Sequence, residues 1–196
     1  MDRTADLAVL VSGSGTNLQA LIDAVETGTL DANINLVVSN KPDVKALSRA
    51  SQAGIEATVL EAGELERGVY DAKLSDLVAS ADPDLVILAG WNRILSSVFL
   101  SSQLVINLHP ALPGTFVGLG CIEKAFDAWQ AKEIGHSGVM VHWVPDEGVD
   151  TGPTITTKEV PFVEGDSLEM FTKRMHDAEH MALVEGVTQA LSELGV

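Results

Sequence analysis

The chain has 196 residues, 46% hydrophobic and 20% charged, a balance that suits one compact domain and excludes a disordered chain. Twelve Lys and Arg against 28 Asp and Glu give a formal net charge of −16, which argues against nucleic acid or anionic lipid as a partner. No apolar run approaches the roughly 20 residues that cross a bilayer, and the single cysteine, Cys121, excludes an internal disulfide framework and fits a reducing, cytoplasmic setting.

Residues 7–11 (LAVLV) are a short apolar run ending in SGSGTN, the pattern of a buried parallel strand feeding a turn. Leu18, Leu21, Ile22 and Val25 then recur at helical spacing, with Gly28 as the stop. Strands are predicted at 34–39 and 57–60, on either side of a helix at 44–53 that Gly54 closes. A third helix over 70–81 ends at Asp82-Pro83, because the residue before proline is driven from helical geometry. Residues 85–89 (LVILA) and 104–108 (LVINL) are again buried-strand patterns. Longer strands at 139–144 and 154–160 flank a turn rich in Pro, Gly and Asp, and are predicted to pair antiparallel at the sheet edge. The last helix is predicted to start with Asp166 as N-cap and Glu169 as its capping-box partner. Its apolar face comprises Leu168, Phe171, Met175, Ala178 and Ala182. The alternation predicts a single α/β domain over 1–196: an open, mostly parallel sheet, helices on both faces and an antiparallel carboxy-terminal edge.

Three motifs carry chemistry. Gly13-Ser14-Gly15-Thr16-Asn17 lies between a strand and a helix, where free N–H groups and the helix dipole attract an anion. No lysine follows the second glycine, and Leu18 stands where a dinucleotide fingerprint has its third glycine, so a single phosphomonoester is the expected guest. The plain alternative is a tight turn with a Ser/Thr cap. Asn107 and His109 sit at the carboxyl end of a strand, and strand alternation puts them on one face with Leu108 on the other. An amide and an imidazole there suit developing negative charge and proton transfer. The turn after His142 offers Asp146, Glu147 and Asp150, and any of these carboxylates near His109 would favour its imidazolium form.

Five segments together resemble the phosphoribosylglycinamide formyltransferase family over nearly the whole chain: VSGSGTNLQALID (11–23), VVSNKPDVKAL (37–47), LAGWNRILS (88–96), INLHPALPGTF (106–116) and HSGVMVHWVPDEGVDTGP (136–153). That resemblance implies a Rossmann-like fold, no metal, and transfer of a formyl group from 10-formyltetrahydrofolate to the amine of glycinamide ribonucleotide in purine biosynthesis. A monomer or homodimer is expected. By it, Asn107, His109 and Asp150 form the catalytic trio, and Gly15, Thr16 and Asn17 hold the ribonucleotide phosphate. Glu179 faces the ribose, while Arg67 and Asn92, Arg93, Ile94 and Leu95, with Asn107, meet the folate. The chain departs from the family in Asn92, where Met is usual, in Gly120-Cys121, where many members carry a second His, and in a loop from His142 to Asp150 about one residue longer.

Two alternatives stand beside this reading. A formyltetrahydrofolate deformylase, or another formyl-folate enzyme such as a methionyl-tRNA formyltransferase, shares the trio but generally carries a further domain, and Met1 leads almost directly into the first strand. His176, Glu179 and His180 also fit an H-x-x-E-H zinc metalloprotease pattern, which needs a third ligand such as Glu185 or Glu193. His136 and His142 are assigned to strand-end packing.

Overall fold

The structure, a computed structural model, describes residues 3–196. Seven strands form one sheet in the order β3-β2-β1-β4-β5-β6-β7. Strands β1 (Ala5–Val11), β2 (Ala32–Ser39), β3 (Ala57–Val59), β4 (Leu85–Leu88) and β5 (Val105–His109) run parallel. Strands β6 (His136–Trp143) and β7 (Thr154–Pro161) run antiparallel at the edge, as the sequence pattern predicts. Among the described residues no helix is long and apolar enough to cross a membrane.

Helices α1 (Thr16–Glu26), α2 (Lys45–Gln52), α5 (Cys121–Gln130) and α6 (Leu168–Leu194) bury Leu18, Leu21, Ala50, Ala125, Phe171 and Val187 on one face of the sheet. Helices α3 (Arg67–Ala79) and α4 (Ser97–Leu100) bury Tyr70, Leu74, Val78 and Phe99 on the other. The central strands are apolar in both directions because each face is covered: Leu7 and Val9 look to the first group, Ala8 and Leu10 to the second. The chain winds outward from β1 in one direction through β2 and β3, then returns to β4 and β5 on the other side. The reversal lies between β1 and β4, and in such sheets ligands bind there, at the carboxyl ends of the strands.

Two helix expectations need correction. The last helix is capped by Ser167, whose side chain accepts from the Met170 N–H at 3.2 Å, not by Asp166. Asp166 is instead taken by the Val163 N–H and by Arg174, so its carboxyl is spoken for; Arg174 holds it below the usual carboxylate range. Leu168 is exposed at the helix start, whereas the rest of the apolar face is buried. Helices α4 and α5 have no counterpart in the sequence reading.

Gly152 stands where the β6–β7 turn folds back against its own strand. A Cβ there would lie 1.8 Å from the Trp143 carbonyl oxygen. Gly152→Ala therefore forces the two strands apart, next to the Trp143 N–H bond to the Pro153 carbonyl. We expect a loss of about 3 kcal/mol in urea unfolding, at the upper end of overpacking costs; a loss below about 0.5 kcal/mol would show that the turn accommodates the methyl.

Candidate active site

A cavity of about 420 Å³ opens at the carboxyl ends of β1, β4 and β5. Its wall is supplied by Asn17 of α1, the segment after β4 from Gly90 to Leu95, Asn107 and His109 of β5, His142 of β6, the loop from Asp146 to Asp150, and Glu179 of α6. Asn17 and Glu179, 162 positions apart in sequence, thus share one wall because the sheet reversal gathers the loops on one side.

At one end lies the glycine turn. Gly15 is the N-cap of α1 in the left-handed region, φ 71°, and a Cβ on it would lie 2.7 Å from Cα and Cβ of Ala46. Only glycine allows both that conformation and that approach. No side chain caps α1, contrary to the plain cap reading, so its first-turn N–H groups are not consumed by a Ser or Thr hydroxyl. Arg49 braces the turn, its Nε donating to the Ser14 carbonyl at 2.9 Å. Asn17 Oδ1 is buried without a hydrogen-bond partner, and Glu179 is buried nearby.

Burial pushes the Glu179 carboxyl up to about 7, while the Asn17 side chain pulls the other way. The folded protein therefore keeps a proton that the unfolded chain has released from about pH 4.5 upward, so stability falls as pH rises towards about 7 and levels off above it. Glu179→Gln removes this loss. Its melting temperature should exceed the parent's at pH 8, by the equivalent of about 2 kcal/mol, and match it near pH 4. A difference that does not change with pH would refute the assignment.

At the other end, Asn92 is tied down on both sides. Its N–H donates to Ser12 Oγ at 3.0 Å, and its Oδ1 accepts from Asn40 Nδ2 at 2.8 Å. A methionine at that position has neither an amide oxygen for Asn40 nor a carboxamide dipole, so the departure from the family pattern is matched by a local bond. The Arg93 guanidinium stacks over the Tyr70 ring at 4.4 Å. Leu95 is buried, whereas Ile94 is 51% exposed and Leu119 74%, both on the cavity wall, an apolar surface left for a ligand. Arg67 stands behind that wall. Its Nη2 donates to the Leu95 carbonyl at 3.1 Å and to Glu147 Oε2 at 2.5 Å, and Glu147 Oε1 accepts the Ser97 N–H at 2.8 Å. The Ser97 N–H and Arg67 hold the Glu147 carboxyl below the usual range.

Between the two ends sits the trio. Asn107 and His109 share a face of β5, and Asp150 reaches them from the β6–β7 loop in a left-handed backbone, φ 55°. Asp150 Oδ1 lies 3.3 Å from His109 Nδ1 and accepts from Asn107 Nδ2 at 3.3 Å; its Oδ2 accepts the Gly118 N–H at 2.9 Å. Of the three loop acids, the geometry selects Asp150, since Asp146 accepts the Gly148 N–H and Glu147 is bound to Arg67 and Ser97. Burial alone would raise the Asp150 carboxyl, but His142 whenever its Nε2 carries a proton, the Gly118 N–H and His109 hold it below the usual carboxylate range. It is a carboxylate at neutral pH. His109 Nε2 meets the Phe116 carbonyl at 2.7 Å. Both neighbours of the His109 ring, a carboxylate and a carbonyl, only accept, so a ring protonated on both nitrogens satisfies both. The Cys121 thiol lies 3.7 Å from His109 Nε2 and donates to the Gly118 carbonyl at 3.0 Å; burial pushes it up, so it stays a thiol.

His142, which the sequence assigns to strand-end packing, lines the cavity beside the trio. It is 1% exposed, lies directly opposite Asn107 in the antiparallel register, and brings Nε2 to 3.2 Å from Asn107 Nδ2 and 3.7 Å from Asp150 Oδ1. Its position in a strand was legible, but the register that faces it to Asn107 was not. His176 and His180 gain no third ligand: among the described residues no three His, Cys, Asp or Glu side chains are grouped to hold a metal.

The formyl transferase family model matches residues 5–187. The phosphoribosylglycinamide formyltransferase of Schizosaccharomyces pombe is 43% identical, covering 96% of this chain and 98% of that protein. The trifunctional purine biosynthetic protein adenosine-3 of Drosophila melanogaster is 42% identical over 92% of this chain and 13% of its own length. Among solved structures, phosphoribosylglycinamide formyltransferase from Bacillus halodurans superposes with a TM-score of 0.89 at 30% identity, covering 96% of both chains. The chain belongs to the formyl transferase family and, within it, to the phosphoribosylglycinamide formyltransferases.

Proposed function

We propose that the protein transfers the formyl group of 10-formyltetrahydrofolate to the amine of glycinamide ribonucleotide, a step of purine biosynthesis, as one formyltransferase domain over its 196 residues. The single observation that carries this reading is the Asn107–His109–Asp150 cluster on the floor of a cavity that runs from an uncapped helix N-terminus to an apolar wall. A phosphorylated amine and a formyl-bearing ring system fit its two ends.

Gly15, Thr16 and Asn17 hold the phosphate on the first-turn N–H groups of α1, which answers the acidity of the rest of the surface with local donors. Glu179, once ionised, accepts from the ribose hydroxyls. Asn92, Arg93, Ile94 and Leu95 line the folate end, with Asn107 at its inner edge, and Arg67 supports that wall from behind. When the amine nitrogen bonds to the formyl carbon, the carbonyl electron pair moves to oxygen. His109 and Asn107 donate hydrogen bonds to that oxyanion, the Phe116 carbonyl on His109 Nε2 giving way to it. Asp150 keeps His109 charged and oriented, and holds a water that passes a proton from the attacking amine to the departing folate nitrogen. The carbon–nitrogen bond to the folate then breaks. No metal takes part. We place the protein in the cytoplasm, as a monomer or homodimer without nucleic-acid or membrane partners.

The test is acceptor dependence. Purified protein with 10-formyltetrahydrofolate should release tetrahydrofolate only when glycinamide ribonucleotide is added. Equal release with and without the ribonucleotide would make the protein a hydrolase.

A further inference from the structure

By hydrogen-bond accounting, the Asn107 amide faces the wrong way for an oxyanion. Its Nδ2 carries two protons; one is directed at His142 Nε2, 3.2 Å away, and the other at Asp150 Oδ1, 3.3 Å away. Oδ1 is then the amide atom of this cavity-lining residue left without a protein partner, and an acceptor cannot stabilise negative charge. His142 decides this. Its Nδ1 lies 2.8 Å from the Trp143 carbonyl, which only accepts, so Nδ1 carries a proton. Nε2 is the variable atom. Bare, it accepts from Asn107 Nδ2. Protonated, it donates to Asn107 Oδ1 or to Asp150 Oδ1, and Nδ2 must turn away from it.

We propose that His142 is a positioning residue for the formyl transfer: a proton taken up from solvent at Nε2 turns the Asn107 amide and presents its N–H to the cavity. The inference deepens the formyl-transfer reading and rests on it, since an oxyanion is what gives the amide's direction a consequence. Of the charged groups that face the ring, Asp150 attracts a proton to Nε2 and a charged His109 opposes it, so the negative charge added by the oxyanion decides between the bare and the protonated form. Asp150 lies 3.7 Å from Nε2. His109, on β5, shares that carboxylate. Thr154, opposite His142 on β7, is uncharged, and Glu179 of α6 lines the same cavity. Otherwise α6 packs on the far face of β6, where Gly186 meets Val141. The site thus has a resting form, with the amide held by His142, and a form committed to charge stabilisation.

The proposal is tested by nitrogen-15 NMR of the His142 ring together with kinetics of two variants. In the free protein Nε2 should lack a proton; with an analogue bearing a hydroxylated tetrahedral carbon in place of the formyl group, both nitrogens should carry one. His142→Phe should lower kcat by about 100-fold, the size of a lost oxyanion donor, with KM for both substrates within about threefold. His142→Gln, whose amide can donate or accept, should retain kcat within about tenfold of the parent. A ring doubly protonated in the free protein, an Nε2 that stays bare with the analogue, or a His142→Phe kcat within about twofold of the parent overturns it, as does a KM that rises in step with the loss of kcat. Failure to bind either substrate or the analogue instead sinks the formyl-transfer reading, and the free-protein spectrum still tests the His142–Asn107 contact.

Discussion

His109→Ala is expected to lower kcat by about 10³-fold while changing ribonucleotide affinity less than threefold. Two losses combine in that figure. The imidazolium that donates to the oxyanion goes, and one such donor is worth about 10²–10³-fold in rate. The partner of Asp150 goes with it, leaving a buried carboxylate held by the Gly118 N–H and Asn107. The phosphate turn and Glu179 belong to other elements, α1 and α6, and neither bonds to His109, so ground-state binding should persist. The measurement is kcat and KM with each substrate varied, with ribonucleotide affinity by calorimetry. A kcat within tenfold of the parent, or an affinity that falls in parallel with turnover, would remove His109 from the chemistry and leave it a wall residue.

Asp150→Asn should cost about 10²–10³-fold in kcat, the range of a lost acid–base group, and should change the pH dependence as well. The parent carboxyl lies below the usual range, so its charge is present above about pH 4 and is lost as pH falls through its folded-state value. Parent activity should therefore have an acid limb that includes this titration, and that contribution should vanish in Asp150→Asn. The amide is nearly isosteric and can still accept the Gly118 N–H, so the fold should survive. What it cannot do is stabilise a charged His109 across 3.3 Å or hold a water as a base. An Asn variant with near-parent kcat and an unchanged acid limb would show that another group carries the proton.

Much of this was legible in the chain. The runs 7–11, 85–89 and 104–108 read as buried strands because both sheet faces are covered, and helix pairing on the two faces followed from the alternation. Asn107 and His109 could be assigned to one face from strand periodicity alone. Asp150 could not be separated from Asp146 and Glu147 by chemistry; only the fold shows Glu147 spent on Arg67 and Ser97. His142 was invisible as a functional group because its significance lies in its cross-strand partner, and register is a long-range property. Arg67 carried a clear charge signal, but that signal says nothing about a carboxylate 80 residues away that faces it across the wall. The last helix began one residue later than expected because Asp166 has stronger partners in Val163 and Arg174 than a helix terminus offers.

The destination of the formyl carbon tests the central claim most directly. Carbon-14 in the formyl group of 10-formyltetrahydrofolate, followed by chromatography of the products, should appear in formylglycinamide ribonucleotide in equal amount to the tetrahydrofolate released. Label recovered as formate, in the presence of saturating glycinamide ribonucleotide, would contradict the account.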